Sequence, residues 1–258
     1  MSGIVLRGGT IVDGTGSPGY RGDVWIEHDR VRQVGRVEAG VAGEELDVAG
    51  LVVAPGFIDL HTHTDRKIFD NPLGDSKIMQ GVTTEVTSNC GIGPFPASES
   101  RFADLESYLG TLSGSLPAGG VNWTDFDGFA AAVAKANPGI NLAMLAAQGA
   151  VRIAAIGWDD RPPTDAEMAQ MQRQLDESLA QGAWGMSTGL VYPPGSFAQA
   201  PELTELAKVV AKHEAIYTSH IRGESATLMN SIDEAIALGK ASGARVQVSH
   251  LKAIGKPF

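Results

Sequence analysis

Four histidines and the single cysteine of this chain stand where a sequence could hold a metal ion. His61 and His63 form a His-Thr-His pair at the end of a predicted strand, where a period of two turns both side chains the same way. Cys90, His220 and His250 each end a later predicted strand. In a parallel α/β architecture, side chains at the C-terminal strand ends converge on one rim. Imidazoles with a thiolate suit a borderline cation such as Zn²⁺. Each residue alone has a plainer reading. A histidine at a strand end can be a satisfied polar group, and a lone cysteine a small buried hydrophobe. The metal reading rests on all five falling at strand ends. His28, in an early β segment, and His213, at a helix end, read as ordinary polar residues.

The elements that must position these groups begin near residue 51. Before it, residues 3–7, 10–13, 23–28 and 30–37 read as short strands separated by Asp-Gly, Thr-Gly and Ser-Pro-Gly turns. After it, apolar strand-like runs alternate with helix-period segments, which signals βα units and a parallel sheet. Six strands are predicted, at 52–61, 83–90, 141–148, 182–187, 215–220 and 245–250. Thr164-Asp-Ala-Glu167 is a capping box that opens a helix with Met168, Met171, Leu175 and Leu179 on one face and Gly182 past its end. Pro201 suits the first turn of a second helix, with Leu203, Leu206 and Val210 inward. A third spans about 225–239, with Leu228, Ile232 and Ile236 inward. Residues 97–140 exceed a plain crossover, and helices are predicted at 102–109 and 126–135. Two domains follow: the N-terminal part of a small β unit at 1–54, and a (β/α) domain at 55–258 with an insertion at about 97–140.

With 258 residues, 43% of them hydrophobic, the composition suits a globular chain with a large core. The net charge of −10 argues against nucleic acid or an anionic membrane as partner. The opening residues lack a signal-peptide pattern, and one cysteine fits a reducing compartment, so a cytoplasmic location is expected.

The segment Ala54-Pro-Gly-Phe-Ile-Asp-Leu-His-Thr-His63 resembles the first-strand signature of the amidohydrolase superfamily. Thr83-Thr-Glu-Val-Thr-Ser-Asn-Cys-Gly91, Gly185-Met-Ser-Thr-Gly-Leu-Val-Tyr-Pro-Pro-Gly195, Ser219-His-Ile-Arg-Gly-Glu224 and Ser249-His-Leu-Lys-Ala253 resemble its D-aminoacylase branch, the N-acyl-D-amino-acid deacylases. The opening Gly8-Gly-Thr-Ile-Val-Asp-Gly14 is similar to the small β-sandwich that these enzymes carry. The resemblance covers nearly the whole chain.

It implies a (β/α)₈ barrel of the TIM type, of which this chain supplies about six strands, and zinc-dependent hydrolysis of the amide bond of small N-acyl-D-amino acids. Many superfamily members bridge two metals with a fourth-strand lysine. Here that strand reads Ala183-Trp-Gly-Met-Ser-Thr188, and the resemblance gives the place to Cys90. Cys90, His220 and His250 would then hold a tight zinc, with His61 and His63 holding a second, weaker site or helping to position water. Lys252, two residues beyond His250, is implied as a substrate contact. Arg222 stands in the same relation to His220, and Tyr192 is placed to line the pocket. Each has a plainer alternative: a loop ion pair for the two cations, and packing on Pro193 and Pro194 for the tyrosine. The general acid–base carboxylate of the superfamily, an Asp after the eighth strand, is expected beyond Phe258, so the chain reads as an N-terminal fragment, inactive alone. Where family members often have a histidine near the end of the third strand, this chain has Gln148, which cannot titrate. Two other functions are weighed: a cyclic amidohydrolase of the hydantoinase type, against which Cys90 and the absent lysine speak, and a non-catalytic metal-binding protein.

Overall fold

The computed structural model describes residues 3–255. The chain divides into two units, Met1–Phe57 and Ile58–Phe258.

The first unit is a β-sheet of β1 (Ile4–Ile11), β2 (Tyr20–Glu27), β3 (Arg30–Gly35), β4 (Glu44–Asp47) and β5 (Val52–Val53). The order is β3-β2-β1-β4, and β5 also pairs with β1. Sequence reasoning broke the first strand at Gly8-Gly9. The chain instead runs through as one strand with a register shift between Leu6 and Gly9, and Gly8 takes a left-handed φ of 72°. The Glu44–Asp47 strand was missed because three of its four residues are acidic. Pairing with β1 holds it, and Arg7 bridges Glu45 and Asp23.

The second unit alternates strands and helices. In chain order it contains β6 (Phe57–Asp59), α1 (Lys67–Asp70), α2 (Asp75–Ile78), β7 (Val82–Thr87), α3 (Phe102–Leu109), α4 (Phe126–Lys135), β8 (Asn141–Met144) and β9 (Ala146–Ala147). There follow α5 (Gln148–Ala155), α6 (Asp165–Gln181), β10 (Gly185–Gly189), α7 (Ala200–Lys212), β11 (Ile216–His220), α8 (Leu228–Ser242) and β12 (Arg245–Val248). The strands form two runs, β6-β7-β8 and β9-β10-β11-β12, with Leu145 alone between β8 and β9. The pairs β7–β8, β9–β10, β10–β11 and β11–β12 are parallel. The result is a mixed α/β fold. Its main core joins Met144, Ala146 and Met186 of the strands to Leu175, Leu206 and Val210 of the helices. Leu60, Val86, Leu145, Trp184 and Ile216 line a separate apolar cavity of about 240 Å³. Strands apolar on both faces are what a parallel sheet requires.

Several boundaries differ from the expected ones. The predicted strand 52–61 is interrupted at Pro55, which has no N–H for a ladder. Val52 and Val53 pair with β1, and only the short strand Phe57–Asp59, which starts at the unit boundary, joins β7. His61 and His63 therefore lie beyond the strand, and strand periodicity does not place them. Gln148 opens α5 rather than ending a strand. Helix α8 buries Ser231, Ala235 and Leu238, while Ile236 is 49% exposed. That face is rotated from the expected Leu228/Ile232/Ile236 stripe, because small residues let α8 lie close to α7 and β12. No helix of the described residues is long and apolar enough to cross a membrane.

Candidate metal centre

The candidate ligands stand at or just past the strand ends, on short turns except for His220, which closes a strand. After β7 the chain leaves the β region. Ser88, Cys90 and Gly91 have φ of 61°, 56° and 67°. For two L side chains this is a sparsely occupied conformation that neighbours must impose. The Gly91 N–H donates to Ser187 Oγ at 3.0 Å, the Tyr108 hydroxyl donates to the Gly91 carbonyl at 2.8 Å, and Ser187 Oγ donates to the Ser88 carbonyl. Gly91 also has to be glycine. A Cβ there would lie 2.6 Å from the Gly189 backbone nitrogen. The segment holding His61 and His63 is tied to the same turn. Thr62 N–H donates to the Val86 carbonyl at 3.0 Å, and Ser88 Oγ donates to the buried Asp65 carboxylate. Burial pushes Asp65 up to about 6, against the Ser88 hydrogen bonds that lower it.

These anchors bring the residues together. Cys90 Sγ lies 3.3 Å from His61 Nε2 and 3.6 Å from His250 Nε2. The ring of His250 stands 4.4 Å from that of His220 and 5.0 Å from that of His61, and His61 is 5.5 Å from His63. His220 is the last residue of β11 and is buried, and His250 follows β12 with a φ of 34°. Two sets of potential ligand atoms lie within 4.8 Å of one another: His61/Cys90/His250 and His220/Glu224/His250.

The donor chemistry fits a metal ion. Burial, then the adjacent imidazoles, lower His61 to about 4; burial, then His250, lower His220 to about 4. Burial also lowers His63. These imidazoles are therefore neutral at pH 7 and offer lone pairs. The Nδ1 atoms of His61, His63 and His220 are buried without a hydrogen-bond partner among the described residues. Without a cation, burial and then Glu224 push the Cys90 thiol up to about 12. A bound cation is the usual way to hold such a sulfur as thiolate.

Of the remaining sequence-derived residues, Tyr192 sets its ring edge-on to His220 at 5.0 Å. With His63, Cys90, Ile92, Tyr108 and Leu112 it lines a cavity of about 360 Å³. Lys252 Nζ lies 2.8 Å from both Glu224 oxygens. Arg222 forks onto Glu234 at 2.9 to 3.3 Å and donates to the carbonyls of Ser196 and Ala198, the ion-pair geometry given above as its plainer reading. His213 bonds Asp176 at 2.7 Å. Gln148 is buried and donates to Glu202, which also pairs with Arg152. Sequence reasoning passed over Glu224 and Asp65. Asp65 could have been noticed two residues past His-Thr-His, but nothing in the spacing of Glu224 foretells its reach to His250.

The Amidohydrolase family profile matches residues 44–241, and the chain belongs to that family. Within it, the chain is 35% identical to D-aminoacylase and 37% identical to N-acyl-D-glutamate deacylase, both of Alcaligenes xylosoxydans xylosoxydans. Those alignments cover 98% and 96% of this chain but 51% and 50% of the relatives, so the chain spans about half their length. A crystal structure of N-acyl-D-glutamate deacylase from Bordetella bronchiseptica, complexed with zinc and a phosphonate inhibitor described as a mimic of the tetrahedral intermediate, superposes with a TM-score of 0.87. It is 36% identical and is matched over 98% of this chain and 52% of its own.

Proposed function

We infer that this chain carries the metal centre of a zinc-dependent deacylase that cleaves the amide bond of small N-acyl-D-amino acids. The carrying observation is the cluster in which Cys90 Sγ lies 3.3 Å from His61 Nε2 and 3.6 Å from His250 Nε2, with the His220 ring 4.4 Å from that of His250. The resemblance to D-aminoacylase and N-acyl-D-glutamate deacylase supports the substrate class. The six strands predicted from sequence would then be part of a (β/α)₈ barrel.

Cys90, His220 and His250 would hold the tighter zinc, and His61 and His63 a second, weaker one. A bound Zn²⁺ supplies a water acidic enough to ionise near neutral pH and polarises the amide carbonyl. The chain's own residues do the rest of what is visible. Buried neutral imidazoles present lone pairs without first losing a proton. Tyr192, Ile92 and Leu112 give the cavity an apolar wall on which the substrate's apolar parts would pack. Lys252 offers an ammonium to the substrate carboxylate and is balanced by Glu224 when no substrate is present.

The test is elemental analysis of the purified protein, wild type against Cys90→Ala, with circular dichroism to confirm folding. Near-stoichiometric zinc in the wild type and little in a folded variant is expected. Stoichiometric zinc in Cys90→Ala would sink the ligand assignment. Amine release from N-acyl-D-amino acids but not their L enantiomers, by the protein carrying this sequence, tests the substrate class.

A further inference from the structure

Glu224 sits where three functional groups meet. Its carboxylate is buried, with a side-chain exposure of 8%. Oε1 lies 2.8 Å from His250 Nδ1 and 3.9 Å from His220 Nε2, and both oxygens lie 2.8 Å from Lys252 Nζ. The backbone of Glu224 is fixed as well, since its carbonyl accepts from Ile254 N–H at 2.7 Å.

These distances select a tautomer. An ionised carboxylate can only accept, so His250 Nδ1 at 2.8 Å must carry the hydrogen. The competing arrangement has Lys252 Nζ donating to a bare Nδ1, across 3.2 Å. It would place the imidazole lone pair against the carboxylate at the shorter distance, which is repulsive. With the proton on Nδ1, Nε2 is left bare, and Nε2 is the atom 3.6 Å from Cys90 Sγ.

We propose that Glu224 is a positioning residue: it holds His250 as the Nδ1–H tautomer, so that Nε2 faces the metal, and it anchors the Lys252 ammonium with the same carboxylate. This rests on the metal-centre reading above. One carboxylate thus orients a ligand of the metal and the cation offered to the substrate. His61, His63 and His220 have no such partner on Nδ1 among the described residues, so His250 is the histidine most firmly preset before metal arrives.

The experiment has two readouts. Long-range ¹H–¹⁵N spectra of imidazole-labelled, metal-stripped protein report the tautomer directly, with His250→Gln to assign the signal. The expected pattern is Nδ1–H in the wild type and in Glu224→Gln, whose amide oxygen still accepts, and a mixture or Nε2–H in Glu224→Ala. Chelator competition then reads zinc affinity. Loss of an orienting partner typically weakens a metal about 10- to 100-fold, expected for Glu224→Ala, with Glu224→Gln recovering most of it. An unchanged tautomer in Glu224→Ala would overturn the proposal. So would a Gln variant as weak as the Ala variant, which would make Glu224 a direct ligand. A wild type with the stated tautomer but no zinc binding would instead overturn the metal reading and leave the hydrogen bond standing.

Discussion

At the scale of single residues, three of the conformations around the site are ones that L side chains rarely adopt: Ser88, Cys90 and His250 all have positive φ. They persist because neighbours over-determine them, and Gly91 is the neighbour with no alternative. Gly91→Ala would force a Cβ against the Gly189 backbone and place an L residue at a φ of 67°. We expect a loss of about 1–2 kcal/mol from the left-handed backbone alone, more with the clash, read as a lower unfolding midpoint. Zinc affinity should fall with it, because Cys90 is the adjoining residue. An unshifted midpoint would mean that the two turns separate freely. Glycine and cysteine at 90–91 could be noticed in sequence, but the reason for the glycine could not. That reason is the approach of two backbones nearly a hundred residues apart.

At the scale of elements, legibility followed local signals. Helix α6 could be read to its ends because Thr164, Glu167 and Gly182 mark them, and the capping box is present in the structure. Helices α3 and α4 also begin and end where apolar spacing places them. What failed was set by distant partners: β4 by its pairing with β1, the face of α8 by α7, and the bends after β6 that place His61 and His63. The α6 cap yields two predictions. Thr164→Ala should cost about 1 kcal/mol, a fall of roughly 2–4 °C in Tm for a domain of this size. Arg161, then the Thr164 N–H and hydroxyl, hold Glu167 far below the usual carboxylate range. A lowered folded-state pKa contributes stability that is fully present above the unfolded value of about 4.3 and is lost as pH falls. Glu167→Gln should therefore flatten the decline in stability below about pH 5. An acid-unfolding curve as steep as that of wild type would refute it.

At the scale of the molecule, the second unit carries a buried ion pair that joins elements far apart in sequence. Arg152 of α5 and Glu202 of α7 are both almost fully buried, and Arg152 also donates to the carbonyls of Asp159 and Arg161 at 3.1 and 2.6 Å. Arg152→Met would strand a carboxylate in the core, and a broken pair of this kind costs about 3–5 kcal/mol. Replacing both partners, Arg152→Met with Glu202→Leu, should recover much of that loss, since no lone charge remains. Denaturant melts of the single and double variants decide it. A double variant no better than the single would show that the carbonyl contacts, not the charge, hold α5 in place.

The strand order carries a consequence for how the unit breathes. Every residue of β10 is buried, β11 is nearly so, and β12, the outermost strand of its run among the described residues, has no fully buried residue. In a protein of this 258-residue sequence, amide hydrogens should then exchange more slowly in β10 and β11 than in β12, whose residues are less buried. The candidate ligands straddle that gradient, with His220 ending the protected strand and His250 following the labile one. A metal bound across both would act as a clasp on the loosest strand, slowing exchange in Arg245–Val248 far more than in Gly185–Gly189, in proportion to how far zinc exceeds its dissociation constant.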